Sequence, residues 1–335
     1  MSYSYENTEV DSNWLAAYIY YEEPWEKLIG EAVKPFAERM IAEKHADQWF
    51  FIRYWERGPH IRLRFKGDIE HMNREIKPRL DEHFGSWLKA NPSEAAERDW
   101  LADLPEEQKW FPNNSVQYIP YQPEIIRYGG ATGILIAERQ FEMSSNAIAQ
   151  AIAETESWGY ERALGLAIQM HFAFAYGLGM TFDDMRPFFR WISYAWLSRA
   201  YRWDQDTTPE EHDERREEVR TAFGEAFQQQ KEMLIPFCST LWQGLQEQVE
   251  FEQEWYNHWI KGMQDIAGEW KQHRSKIEFY ETRKPREEDK DLPKEHWEAW
   301  PIFESYIHMT NNRLGILNRD EAFLGYLIQN TIDQI

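Results

Sequence analysis

Three short segments carry side chains whose type and spacing could do chemistry. The first is His60-Ile61-Arg62-Leu63-Arg64-Phe65. Its strict alternation reads as a strand, and a strand sends successive side chains to opposite faces. His60, Arg62 and Arg64 then share one face, while Ile61, Leu63 and Phe65 share the other. The apolar face can pack in a core. The other holds two guanidinium groups roughly 7 Å apart, since a strand rises about 3.3 Å per residue. No carboxylate separates them in sequence, and guanidinium groups bind carboxylates in bidentate fashion. The pattern fits an anion-binding face, and it also fits an amphipathic strand with solvated arginines.

The second segment, Tyr121-Gln122-Pro123-Glu124-Ile125-Ile126-Arg127-Tyr128-Gly129-Gly130, precedes an expected helix. Gly129 and Gly130 can let the backbone approach a ligand at a helix N-terminus, where free N–H groups and the helix dipole favour an anion. Arg127 adds a full charge, and Glu124 could orient it. A tight turn that simply starts a helix is the plainer reading. In the third segment, Tyr306-Ile307-His308-Met309-Thr310-Asn311-Asn312-Arg313, a helix brings Asn311 and Asn312 to the side of His308. Glu304, four residues earlier, could hold the ring. A histidine so placed can serve as a general base near neutral pH. In an aromatic-rich helix it can equally be a structural hydrogen bonder.

Other chemistries are not signalled. The sequence has no HExxH, GxSxG or GxGxxG pattern, so no metal or cofactor is expected. The single cysteine, Cys238, excludes an intramolecular disulfide and a Cys-based zinc site, and suits a reducing cytoplasm. The formal net charge is −21, from 58 acidic and 37 basic residues. Nucleic-acid binders draw affinity from neutralising phosphates, so no nucleic-acid partner is expected. An anionic membrane surface would be repelled as well. The first residues, MSYSYENTEVDSNW, do not read as a signal peptide, and no run approaches the ~18 apolar residues of a membrane helix.

The elements that must position these groups follow from periodicity. The 42% apolar fraction, with 17 Trp, 17 Tyr and 19 Phe, can fill a sizeable core. Strands are expected over 14–21, 48–55, 60–66 and 115–121, with Gly58-Pro59 turning a hairpin and Pro120 marking a strand end or edge. Helices are expected over 25–44, 69–90, 132–153, 158–179, 183–202, 209–233, 240–275, 296–314 and 318–333. Thr208-Pro209-Glu210-Glu211 reads as a helix start. Trp242, Trp255, Trp259 and Trp270 read as helix packing, and 281–294 as a charged loop. Strands early and helices late imply an α+β fold: a small mixed or antiparallel sheet from the N-terminal third with a large helical lobe. With no clean linker, residues 1–335 are expected to form one domain, with an extended helical segment near 204–294.

Taken in order, WFFIRYWERGPHIRLRF (49–65), YQPEIIRYGGATGILIAERQF (121–141) with the following Ser-Ser, and YIHMTNNRLGI (306–316) resemble the C-terminal, glutamate-eliminating domain of lantibiotic dehydratases. That domain also occurs alone in thiopeptide pathways. The resemblance spans nearly the whole chain and is weakest over 204–294. It implies an enzyme acting on a ribosomal precursor peptide whose Ser or Thr has been esterified with glutamate. β-Elimination of the glutamate leaves dehydroalanine or dehydrobutyrine, without need of tRNA. The resemblance places catalytic roles on Arg62, Arg64, Arg127, Glu124 and His308; His60, Gly129, Gly130 and Asn312, by their places in the same segments, are expected to contact substrate. It implies a leader-bearing precursor peptide and a separate glutamylating dehydratase subunit as partners, and is compatible with a homodimer. Two other readings stay open: a thiopeptide [4+2] cyclase (pyridine synthase) on the same fold, and a non-catalytic peptide-binding subunit.

Overall fold

The computed structural model describes residues 13–96, 98, 100, 103–201, 208–279, 290 and 292–335. Most of the expected charged loop over 281–294 lies outside the described residues, as does the end of the helix expected over 183–202. The chain divides into two compact units, the first ending at Pro123 and the second running over Glu124–Ile335.

The first unit is built on four antiparallel strands: β1 (Trp14–Tyr20), β2 (Gln48–Tyr54), β3 (His60–Lys66) and β4 (Ser115–Tyr118), in the order β2-β3-β1-β4. β3 is therefore central, and its alternation is explained by what covers each side. Ile61, Leu63 and Phe65 are fully buried. Against this side pack α1 (Lys34–Ala42), which continues a helical turn and a π turn begun at Glu26, and α2 (Ile69–Ala90). Asp68 caps α2 by accepting the His71 N–H at 2.7 Å. The helix then buries Met72, Ile76, Leu80, Phe84 and Leu88, one residue per turn.

The opposite side of β3 is not the solvated face that alternation alone allows. Antiparallel register sets Tyr18 and Ile52 beside Arg62, and Ala16 and Phe50 beside Arg64. Residues directly opposite one another point to the same face. The arginines therefore stand among aromatic rings, and Arg64 is 6% exposed.

The second unit is helical: α3 (Gly130–Ala153), α4 (Tyr160–Gly177), α5 (Phe182–Leu197), α6 (Pro209–Gln246), α7 (Glu254–His273), α8 (Trp300–Leu314) and α9 (Asn318–Ile332). α7 packs on α3 and α4, α8 on the same two helices, and α9 along α5. Gly325 permits that last approach, because a β-carbon there would lie 2.8 Å from Ser193 N and 2.9 Å from Phe189 O. The expected helix 209–233 is a finding of a different kind. It runs on to Gln246, through Pro236, and the chain breaks instead before α7. Proline inside a helix removes one hydrogen bond. Burial of Leu234, Cys238, Leu241, Trp242 and Leu245 along one face outweighs that loss. Trp242, Trp255, Trp259 and Trp270 are all buried, and the Trp259 indole donates to Met170 O at 3.0 Å.

Candidate active site

Each unit places part of the expected residue set. In the first, His60 is fully buried on β3. Its Nδ1–H donates to Gly58 O at 2.7 Å, which leaves Nε2 to accept the Arg62 Nε–H at 3.0 Å. Burial holds the ring neutral by pushing its pKa down to about 4, against the opposing pull of the Gly58 bond and with help from the nearby Arg62 and Arg64 charges. His60 thus supports Arg62 directly. Glu56 takes another edge of the same guanidinium at 2.8 Å, and the ring faces of Tyr54 and Tyr18 cover it at 3.7 and 4.6 Å. The absence of a carboxylate between the arginines in sequence therefore did not leave Arg62 unpaired: the hairpin turn brings Glu56 to it. Arg64 is held differently. It lies over Tyr121 at 4.1 Å and Phe50 at 5.2 Å, and its buried Nε has no hydrogen-bond partner among the described residues. A buried N–H without a partner costs about 1–3 kcal/mol, so this group is set up to receive an acceptor.

In the second unit, Arg127 and His308 are joined through one helix. The Arg127 Nε–H donates to Ser305 Oγ at 2.9 Å, while that hydroxyl donates to Pro301 O at 2.9 Å. Glu124 lies 3.4 Å from another Arg127 nitrogen. His308 follows Ser305 by three residues on α8, so the arginine anchor and the imidazole occupy one side of the helix. The His308 Nδ1–H donates to Glu321 Oε1 at 2.7 Å, and Trp196 stacks on the ring with centroids 4.6 Å apart. The imidazole side chain is 17% exposed and that of Glu321 is fully buried. Nδ1 is thereby occupied, and Nε2 is the atom left to take a proton from a substrate.

Two expectations change here. The carboxylate holding the His308 ring is Glu321 of α9 and not Glu304. Glu304 shares a helix face with His308, but Nδ1 is taken by the buried Glu321, which α9 supplies from across the helix pair. At Gly129 and Gly130, with φ of 90° and 82°, the close approach is taken by the chain itself. A β-carbon on Gly129 would meet Ile277 at 2.8 Å and Ile302 at 2.9 Å, and one on Gly130 would meet the Glu278 carboxyl group at 2.7 Å. A carboxylate of the protein, rather than open space, lies against the start of α3. Asn312 is half-buried on α8, whereas its neighbour Asn311 is buried and bonds Glu321.

Sequence reasoning did not find Glu321, Ser305, Trp196 or Glu56. Ser305 lies just before the quoted third segment, and a signal was there: a hydroxyl one helical turn ahead of the histidine. Glu321 and Trp196 lie on other helices and left no local pattern. The Ser-Ser step after 141 and the Asn-Arg pair do meet: the buried Arg313 donates through Nε to Ser145 Oγ at 2.8 Å. Gln140 likewise donates to Thr310 at 3.2 Å. These polar pairs fix α8 against α3. Among the described residues no cluster of His, Cys, Asp and Glu could hold a metal ion, and no helix is long and apolar enough to cross a membrane.

A small antiparallel sheet with an aromatic-flanked arginine pair, followed by a helical unit with a carboxylate-bound histidine, is the α+β arrangement that the comparisons with known proteins place in a family. The sequence matches the family described as lantibiotic biosynthesis dehydratase C-term over residues 14–332, and the chain belongs to that family. Solved structures agree in fold. The pyridine synthase TbtD from thiomuracin biosynthesis is similar with a TM-score of 0.72 at 16% identity, covering 96% of this chain and 98% of that one. TsrL is similar with a TM-score of 0.63 at 17% identity, covering 96% and 94%. The tRNA-dependent lantibiotic dehydratase MibB from Microbispora sp. 107891 gives 0.59 at 19% identity, with 99% of this chain matching 29% of that protein. No curated protein matches the sequence.

Proposed function

We propose that this chain modifies a ribosomally made precursor peptide by β-elimination of glutamate from glutamylated Ser or Thr. The single observation that carries this reading is the His308–Glu321 pair on the helix that also anchors Arg127. His308 Nε2 takes the Cα proton, the electron pair forms the Cα–Cβ double bond, and the Cβ–O bond breaks to release glutamate as a carboxylate. Arg127, oriented by Glu124 and Ser305, meets developing negative charge. Arg62 and the unmet N–H of Arg64 suit carboxylate oxygens of the glutamyl group. In other enzymes, removing one such donor costs on the order of 10²–10³ in rate. The reaction needs a separate glutamylating subunit to supply the ester.

A second reading has a specific observation in its favour, and by overall shape it stands ahead. The pyridine synthase TbtD matches from end to end with the higher TM-score, whereas MibB matches over a fraction of its length. On this reading the chain joins two dehydroalanines in a formal [4+2] cyclisation and releases the leader. Incubating the purified chain with a glutamylated peptide, and separately with a peptide bearing two dehydroalanines, separates the two by mass. Loss of glutamic acid from the first peptide supports elimination. An unchanged first peptide with leader release from the second overturns it in favour of cyclisation.

A further inference from the structure

We infer that Glu321 is a positioning residue for His308, and that Asn311 and His171 form the buried clamp that aims it. The inference rests on the reading of His308 as the base and concerns how its proton is placed. Glu321 is a carboxylate with no side-chain exposure, a costly placement unless its oxygens are satisfied. Among the described residues it meets no lysine or arginine. Oε1 receives the His308 Nδ1–H at 2.7 Å, and Oε2 receives the Asn311 Nδ2–H at 3.1 Å. Both partners belong to α8 and lie three residues apart on it.

The chain of bonds has one direction only. A carboxylate accepts, so Asn311 must turn its NH₂ toward Glu321 and its Oδ1 the other way. Oδ1 lies 2.9 Å from Nε2 of His171 on α4. His171 must then donate from Nε2, which agrees with a ring that burial keeps neutral, its pKa pushed down to about 4. Its Nδ1 is buried and has no partner among the described residues, so the network ends there. At the other end, His308 must hold its proton on Nδ1. The network therefore selects the tautomer whose Nε2 lone pair faces outward, and Trp196 fixes the plane of the ring. A purely architectural anchor between α8 and α9 would not require a carboxylate at this place.

The test uses the full chain labelled with ¹⁵N-histidine, with His308→Ala to assign the resonance, at mildly alkaline pH. The expected result is an Nδ1-protonated ring at His308 in the native protein. Glu321→Leu and, less completely, Asn311→Ala should shift it to the Nε2-protonated form. In turnover of the glutamylated peptide, Glu321→Leu should lower kcat at least roughly tenfold with little change in KM, and Glu321→Asp should recover part of it. An Nε2-protonated His308 in the native protein overturns the inference even if Glu321→Leu fails to fold. The tautomer is read without substrate. Nδ1 protonation without elimination activity would therefore remove the proposed reaction and leave the clamp, and His308-dependent elimination with Nε2 protonation would do the reverse.

Discussion

Ser305 and His308 stand one helical turn apart on α8, the first holding the Arg127 guanidinium and the second bound to Glu321. On the proposed function, the spacing ties the charge that would meet a developing anion to the base that would create it. Ser305→Ala removes the acceptor of the Arg127 Nε–H and leaves the imidazole in place. Elimination by the variant should fall on the order of tenfold, in line with about 1.5–3 kcal/mol for a hydrogen bond to a charged group, only part of it expressed in the transition state. The fold should lose about 1 kcal/mol. Steady-state kinetics and urea unfolding measure the two effects separately.

Among the described residues Arg64 differs from Arg62 in having no carboxylate partner, only rings and an unmet N–H. Arg64→Lys keeps the charge but loses the planar fork and the stacking. The rate should drop on the order of 10²-fold while the first unit stays folded. A lysine variant with native rate would remove Arg64 from the catalytic set.

Two histidines set an acid limit on stability. His60 and His171 are held neutral, with pKa values lowered from 6.5 to about 4 by burial in each case. Below 6.5 the unfolded chain takes up these protons and the folded chain does not. Stability is therefore full above that pH, declines as pH falls toward 4, and levels off below it. Each site amounts to about 3 kcal/mol over the window. His83, also lowered mainly by burial, acts in the same direction on the first unit. Urea unfolding between neutral pH and 4.5 should show the decline for both units, and His60→Phe should make it shallower for the first unit alone, with the His83 share remaining.

Gly129 has a left-handed backbone, and a β-carbon there would meet Ile277 and Ile302. Gly129→Ala should destabilise the second unit by about 1–3 kcal/mol from backbone strain, with the steric clash adding to it. A thermal midpoint equal to that of the native protein would contradict the packing described.

Much of the fold was legible because its periodicity is local. The alternation over 60–66 and the helical spacing over 69–90 match the observed elements residue for residue. The continuation of α6 through Pro236 was not legible, since the burial that sustains it comes from other helices. The site follows the same rule. Arg62, Arg64, Arg127 and His308 stood out by type and spacing, but their supports did not. Glu56 reaches Arg62 across a turn, and Glu321 reaches His308 from a different helix. The Gly-Gly step suggested an approach by a ligand and proved to be one by Ile277 and Glu278, more than a hundred residues away in sequence.

The central claim, that His308 is the base, is tested most directly by single-turnover elimination from a peptide carrying one glutamylated serine, native chain against His308→Ala. The expected result is a rate lower by 10²–10⁴, on the order typical for loss of a general base, with peptide affinity unchanged. Release of glutamate by His308→Ala within about twofold of the native rate would contradict the account.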